Sequence, residues 1–274
     1  MISDEALSAM AHALTRVAGI EAVALGGSRA RGTHRPDSDV DLALYYDRTR
    51  LDVEALRALA RELTGRDVAV AGPGGWGPWV DGGAWLDVGG TPVDWILRDV
   101  ERVRAQRDRA IRGEFAFHNQ PGHPLGFLDV SYVGEAVACR PLVDPGGLIR
   151  ELRSGVVPYP EPLRAAMIAN LWQAGFLLDA AGKGAGRRDV AYVALCCSTA
   201  AMICAHAWHA AAGVWVLNEK DLVPSVSRLG LDTGTFVEDA QAALHHLDAD
   251  EGSLRSAIAL MRAAVEATSA RIGP

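Results

Sequence analysis

The stretch GGSRARG at residues 26–32, followed by DSDVDL at residues 37–42, decides how this sequence is interpreted. A short apolar run at residues 20–25 precedes it, and apolar residues then alternate with Asp39 and Asp41. Successive side chains of a strand point to opposite faces, so the two aspartates would project side by side while their apolar neighbours pack inward. The sequence therefore predicts two neighbouring strands joined through a glycine-rich turn, with paired carboxylates on one face.

The paired carboxylates and the glycines together point to a phosphate ligand. Two like charges on one strand face raise each other's pKa unless a cation neutralises them, and hard oxygen ligands suit Mg²⁺. The glycines before Ser28 let the backbone approach a ligand, and a strand-to-helix turn there would aim N–H groups at an anion. We therefore expect a nucleoside triphosphate site in which Gly27 and Ser28 lie at the phosphates, Arg29 or Arg31 neutralises further charge, and the aspartates hold the metal.

This stretch resembles the nucleotidyltransferase superfamily, which includes DNA polymerase β and the kanamycin, streptomycin and lincosamide nucleotidyltransferases. The superfamily pattern is a hydrophobic residue, Gly followed by Gly or Ser, a spacer, and then two acidic residues separated by one position. The residues that match it here are Leu25, Gly27, Ser28, Asp39 and Asp41. The resemblance covers about residues 20–97, and Asp37 and Ser38 are expected to shape the turn that enters the second strand.

The resemblance also implies a third carboxylate on a later strand, for which Asp94 in VDW (residues 93–95) is the candidate. It implies that Asp39, Asp41 and Asp94 hold two Mg²⁺ ions and that a nucleoside monophosphate, AMP from ATP, is transferred with release of pyrophosphate. Asp94 is also a candidate general base. The structural alternative for Asp94 is an ion pair with Arg98.

The first half of the chain mixes helix and strand signals, which predicts an α/β (α+β) domain with a mixed sheet over residues 1–140. A glycine pair between two apolar strands is a hairpin signal, because it supplies the positive φ of a two-residue turn. The predicted elements are helices at 3–18, 51–63 and 99–112 and strands at 20–25, 40–44, 67–70, 85–88 and 92–97.

Beyond Arg140 the strand signals vanish and apolar residues recur at helical spacing. This predicts an α-helical bundle domain over 141–274 that closes over the site, with helices at 188–213, 235–247 and 252–271. Lys220 is one of only two lysines. Because helical-domain lysines of similar enzymes reach back to the triphosphate, the resemblance implies a nucleotide-binding role for it, and a solvated lysine at a helix start is the alternative.

Two segments have a structural and a functional interpretation. The glycine-rich loop at residues 71–83 carries Trp76 and Trp79, which suits a lid or substrate wall, or else a surface loop pinned by its tryptophans. His118 and His123 flank a polar loop. Its residues either line an acceptor pocket or make their hydrogen bonds to neighbouring groups.

The charge of the chain bears on the acceptor. With 27 basic against 34 acidic residues the net charge is −7, so a nucleic-acid partner, which needs clustered cations, is not expected. We therefore expect a small-molecule acceptor, such as an antibiotic. A protein or RNA acceptor, as in antitoxin-like members, and a non-catalytic nucleotide-binding module are the alternatives.

The remaining features favour a cytoplasmic protein. Four cysteines lack CxxC spacing, and the first residues lack a signal-peptide pattern. Residues 190–217 contain no charged residue, yet their alanine-rich composition with His206 and His209 predicts a buried helix of a soluble protein rather than a membrane span or zinc site. Many superfamily members form homodimers, although neither half shows an apolar stripe that marks an interface.

Overall fold

The structure, a computed structural model, describes residues 2–35 and 38–273. Their contacts divide the chain into two units. The first unit contains the residues up to Ala110 together with Phe115–Val157, and the second contains Ile111–Glu114 and the residues from Pro158 onward.

The first unit is built from a mixed sheet with helices, as predicted. Its elements are α1 (Asp4–Thr15), β1 (Ile20–Leu25), α2 (Gly27–Ala30), β2 (Val40–Tyr46), α3 (Val53–Thr64), β3 (Gly83–Val88), β4 (Thr91–Asp99), α4 (Val100–Ile111), β5 (Phe117–Gln120), β6 (His123–Leu128), α5 (Ser131–Ala138), β7 (Arg140–Val143) and α6 (Leu148–Arg153). The five-stranded sheet has the order β3-β4-β2-β1-β7, in which β2 and β4 are parallel and the other neighbours are antiparallel.

The alternation of residues in β2 fixes which face of the sheet carries the site. Val40, Leu42 and Leu44 are fully buried in one core cluster with apolar residues of α1 and α3. Burial of a leucine or valine side chain contributes about 1.5–3 kcal/mol, so this register is strongly specified. Asp41 consequently lies on the opposite face.

Two predicted features of the first unit differ in the structure. No strand forms at residues 67–70, where Val70 is buried in the core and only Ala71 makes an isolated bridge, to Gly83. The segment containing His118 and His123, expected to be a loop, forms the β5/β6 hairpin.

The end of the first unit also lies later in the chain than the predicted domain boundary at residue 140. β7 pairs with β1 in the main sheet, and α6 packs in the same core cluster as Tyr45 and Tyr132. The residues up to Val157 therefore belong with the sheet.

The second unit is helical, as predicted. Its helices are α7 (Glu161–Ala169), α8 (Trp172–Ala185), α9 (Val190–Ala211), α10 (Leu222–Ser225), α11 (Phe236–His245) and α12 (Glu251–Ile272). α9 is the central helix, since it packs against α7, α8, α11 and α12.

Within the described residues, one helix, α9, is long enough and apolar enough to cross a membrane, and 56% of its most apolar window is buried. That burial is the expected pattern for the core helix of a soluble protein. His206 and His209 are each only 5% exposed. The Nδ1 atom of His209 lies 2.8 Å from the carbonyl of Ala205, and its Nε2 lies 3.0 Å from the hydroxyl of Ser225, so this histidine has a structural role.

Candidate active site

Three aspartates from two parallel strands meet on one face of the main sheet. Asp41 of β2 and Asp94 of β4 are register partners, and Asp39 immediately precedes β2. One carboxylate oxygen from each residue lies within 4.8 Å of the others. The structure thus brings together the three carboxylates that the sequence singled out.

The turn after β1 approaches these carboxylates closely. The backbone N–H of Gly26 donates to the carbonyl oxygen of Asp41 at 2.8 Å. Gly27 has a φ of +59°, and a Cβ atom at this position would lie 1.7 Å from Oδ2 of Asp41. A glycine is therefore required here both by the backbone conformation and by the space that the Asp41 side chain occupies.

The electrostatics of the three carboxylates favour a bound cation. Burial, followed by the charges of Asp41 and Asp39, raises the pKa of Asp94 to about 6. Burial and the charge of Asp39 also raise the pKa of Asp41. A cation held among the three oxygens would offset both effects, and the all-oxygen donor set suits a hard divalent ion such as Mg²⁺.

Arg29 supports the segment that carries Asp39. Its Nε donates to the carbonyl oxygen of Asp39 at 2.9 Å and its Nη2 to that of Ser38 at 2.7 Å. Its predicted contact with a phosphate stays a prediction. The partly buried Ser28 lies in α2, next to Gly27, while Asp37 lies outside the described residues.

The alternative for Asp94 was an ion pair with Arg98, and the structure shows which partner Arg98 has. Arg98 binds Glu135 instead, with Nε–Oε2 and Nη2–Oε1 distances of 2.5 and 2.8 Å. Asp94 therefore lies with the other two aspartates rather than in the expected alternative pair.

Lys220 belongs to the second unit. It is exposed in the turn between α9 and α10, where its backbone N–H donates to Oδ1 of Asn218 at 2.7 Å. Its role toward a nucleotide stays a prediction.

The glycine-rich loop is pinned by buried polar groups. The side chain of Asp81, 1% exposed, accepts hydrogen bonds from the hydroxyl of Tyr46 and from the N–H of Gly74. Gln120, 3% exposed, donates to the carbonyl of Trp76 at 2.7 Å and accepts from the N–H of Trp79 at 3.0 Å. The loop is therefore held in place from both of its sides.

The rings of this loop have different surroundings. Trp79 stacks on His118 with 3.8 Å between ring centroids, and His118 Nε2 lies 3.3 Å from Oδ2 of the buried Asp129. Trp76 stacks on Trp85 of β3, with 4.3 Å between centroids and 15° between ring planes. Sequence reasoning did not select Trp85, although the two-residue turn of the predicted hairpin places it opposite Asp94.

Comparisons with known proteins agree with this geometry. Residues 10–70 match the family described as Polymerase beta, Nucleotidyltransferase. This range includes the glycine turn and both strand aspartates of the motif, and it ends before Asp94. No curated protein matches the sequence.

One solved structure that resembles the chain is a nucleotidyltransferase-like protein from Exiguobacterium sibiricum 255-15. The identity is 11% and the TM-score 0.39, over 96% of this chain and 73% of the other.

Proposed function

Because residues 10–70 match the family described as Polymerase beta, Nucleotidyltransferase, we propose that this protein is a nucleotidyltransferase, which transfers AMP from ATP to a hydroxyl group of a small molecule and releases pyrophosphate. The observation that carries the proposal is the meeting of Asp39, Asp41 and Asp94 beside a glycine turn that leaves no room for a side chain at Gly27.

The three carboxylates are the proposed magnesium ligands. Their oxygens lie within 4.8 Å of one another, and burial together with like charges raises the pKa values of Asp41 and Asp94, which favours a bound counterion. We assign two Mg²⁺ ions to this site. When bound, they supply charge stabilisation for the attacking and leaving oxygens of a phosphoryl transfer.

Asp94 is the proposed general base. Its carboxylate would accept the proton of the acceptor hydroxyl, and the acceptor oxygen would form a bond to the α phosphorus of ATP. The bond between that phosphorus and the bridging oxygen would break, and pyrophosphate would leave with the electron pair. Its position suits this role, since Asp94 lies opposite Asp41 on the face of the sheet where the three carboxylates meet.

The remaining residues of the site have supporting roles in this proposal. Gly27 and Ser28 would lie along the β and γ phosphates, and the absence of a side chain at Gly27 lets this turn lie directly against the Asp41 carboxylate. Arg29 holds the backbone of the segment that carries Asp39 and would add positive charge near the phosphates. Lys220 is proposed as a further phosphate ligand.

A small-molecule acceptor, of which an antibiotic is one example, is favoured by the acidic charge balance of 27 basic against 34 acidic residues. That balance provides little electrostatic attraction for a nucleic-acid acceptor. A cytoplasmic location, where ATP and Mg²⁺ are available, completes the proposal.

Calorimetry tests the nucleotide and metal parts of the proposal. ATP, GTP, CTP and UTP are titrated with and without Mg²⁺ into the wild type, Asp41→Asn, and the control Asp108→Asn, which removes an exposed charge paired with Arg107 on α4. We expect Mg²⁺-dependent binding of ATP by the wild type and the control, with at least tenfold weaker binding by Asp41→Asn. Binding that is equal in all three proteins, or absent from the wild type, would overturn the proposal.

The acceptor is identified in a second experiment. Radiolabelled ATP and Mg²⁺ are supplied with a small-molecule fraction, with a protein fraction or with tRNA. Label on a small molecule supports the proposal, and label on protein or RNA establishes the alternative acceptor class. ATP binding without pyrophosphate release in any of the three reactions would indicate a non-catalytic nucleotide-binding module.

A further inference from the structure

The groups of the candidate site lie in a row across four neighbouring strands. The Gly27 turn follows β1, Asp41 lies on β2, Asp94 on β4 and Trp85 on β3, in the spatial order of the sheet. Asp41 and Asp94 are register partners, and so are Asp94 and Trp85, which places their side chains on one face. Neighbouring strands are about 4.8 Å apart, so Trp85 lies roughly two strand spacings from Asp41.

One face of the Trp85 ring is covered and the other is open. Trp76 stacks on Trp85 with 4.3 Å between centroids. Gly83, two positions before Trp85, leaves no room for a side chain, because a Cβ atom there would lie 1.9 Å from the carbonyl oxygen of Trp95 and 3.0 Å from Cη2 of Trp76. Trp85 nevertheless remains 66% exposed, so its second face is available to a ligand.

The stacked pair is held rigidly. The backbone of Trp76 is fixed twice, since its carbonyl accepts from Gln120 at 2.7 Å and its N–H donates to the carbonyl of Asp81 at 2.9 Å. The side chains of Asp81 and Gln120 are themselves buried. Rings that are positioned in advance lose little conformational entropy when a ligand binds, which favours a binding role.

The direction of the reaction decides which substrate meets these rings. In a phosphoryl transfer the attacking and leaving oxygens lie in line on opposite sides of the phosphorus. If pyrophosphate leaves at the Gly27 end of the row, the acceptor oxygen enters at Asp94, and the body of the acceptor extends toward Trp85. The nucleoside is attached at the α phosphate, off this line.

We infer that Trp85, backed by Trp76, is the acceptor-binding platform, and that the acceptor carries its reacting hydroxyl on or beside a sugar or aromatic ring that stacks on Trp85. This inference rests on the proposed function. Stacking of a nucleobase on an aromatic side chain contributes about 1–3 kcal/mol, and the same contribution from a planar acceptor ring on Trp85 corresponds to a loss of roughly 5- to 150-fold in the alanine variant.

The test uses ring and non-ring hydroxyl compounds as probes. Pyrophosphate release from ATP and Mg²⁺ is measured with kanamycin, phenyl β-D-glucopyranoside and glycerol in the wild type, Trp85→Ala, Trp85→Phe and Trp172→Ala. Trp172 is an equally exposed tryptophan, at 66%, in the second unit. The binding of ATP with Mg²⁺ is measured by calorimetry in the same four proteins.

We expect at least one ring probe to stimulate release by the wild type, and its KM to rise about tenfold or more in Trp85→Ala. Trp85→Phe should keep most of the affinity, Trp172→Ala should behave as the wild type, and all four proteins should bind ATP equally. Three results would overturn the inference. The first is an equal KM for the ring probe in Trp85→Ala and the wild type. The second is that neither ring probe stimulates pyrophosphate release by a wild type that still binds ATP. The third is weaker ATP binding in Trp85→Ala alone, which would assign the platform to the nucleobase. Loss of ATP binding from the wild type would instead reject the proposed function.

Discussion

Asp41 and Asp94 occupy the same register position on two parallel strands, β2 and β4. Residues at the same register position on adjacent strands point to the same face, so this pairing alone brings their carboxylates together. The parallel pairing therefore builds the site from two segments that are distant in sequence, and any change that keeps β2 and β4 in register keeps the two carboxylates close.

Replacing either carboxylate should separate metal binding from proton transfer. Asp41→Asn removes a metal ligand that is partly buried beside Gly27, so we expect both Mg²⁺-dependent ATP binding and turnover to be lost. Asp94→Asn should retain part of the ATP binding and lower turnover by about 10²–10⁴-fold, the range for loss of a general base. Calorimetry and pyrophosphate release measure the two effects, with Asp108→Asn as the control. Full turnover in Asp94→Asn would exclude it as the base.

Two glycines at the two ends of α2, Gly27 and Gly32, provide a matched test of the close approach to Asp41. Gly27 and Gly32 have φ values of +59° and +69°, but a Cβ atom would meet Oδ2 of Asp41 at 1.7 Å only at Gly27, with nothing within 4 Å at Gly32. Both alanine variants should lose about 1–2 kcal/mol of stability from the positive φ. We expect only Gly27→Ala also to lose Mg²⁺-dependent ATP binding.

Thermal denaturation and calorimetry on the two variants check this expectation. Retained ATP binding in Gly27→Ala would show that the carboxylate moves aside without consequence.

The helical unit should lose stability in acid because of His206. Burial, and secondarily His209, lowers the pKa of His206 to about 3. The folded state keeps this residue neutral, while the unfolded chain takes up a proton below pH 6.5. The stabilising contribution is therefore complete above about pH 6.5 and is lost progressively as the pH falls toward 3.

Urea denaturation followed by far-ultraviolet circular dichroism at pH 7.5 and 5.0 measures this loss. His206→Gln should reduce the difference between the two midpoints, and the exposed His245→Gln should leave it unchanged. His209, whose pKa burial also lowers, should account for part of the remainder. An unchanged difference in His206→Gln would contradict the assignment.

The pair between Arg98 and Glu135 should contribute far more to stability than a surface pair. The Arg98 side chain is 6% exposed, so Glu135→Ala leaves a buried guanidinium without its carboxylate. The cost of breaking such a pair is about 3–5 kcal/mol. Glu101→Ala breaks an exposed pair with Arg104 and should cost less than about 1 kcal/mol. Chemical denaturation of both variants compares the two costs, and similar losses would refute the difference.

Much of the fold and site was predictable from the sequence because the signals are local. The apolar run at 20–25, the alternation around Asp41 and the glycine pair at 89–90 each fix an element by short-range rules. A two-residue turn also fixes the register of its hairpin, so the position of Trp85 opposite Asp94 was implicit in the predicted turn.

The features that were missed depend on partners far away in sequence. Arg29 binds backbone carbonyls, which any residue can offer, so no sequence pattern marks its role. The anchoring of the tryptophan loop by Gln120 depends on the β5/β6 hairpin, whose first strand has only four residues and is mostly polar, so it shows no clear alternation. Val70 is apolar because it is buried in the core and not because it pairs in a sheet.

The position of β7 has a consequence for how the chain is made. β7 at Arg140–Val143 pairs with β1 at Ile20–Leu25, so the first strand to be synthesised receives its outer neighbour last. Until the ribosome has released residue 143, the N–H and C=O groups along one edge of β1 have no strand partner from this sheet, and such edges are prone to pair with other chains. A nascent chain that pauses after β4 already contains both strands that carry Asp41 and Asp94, but not the strand that covers this edge of β1.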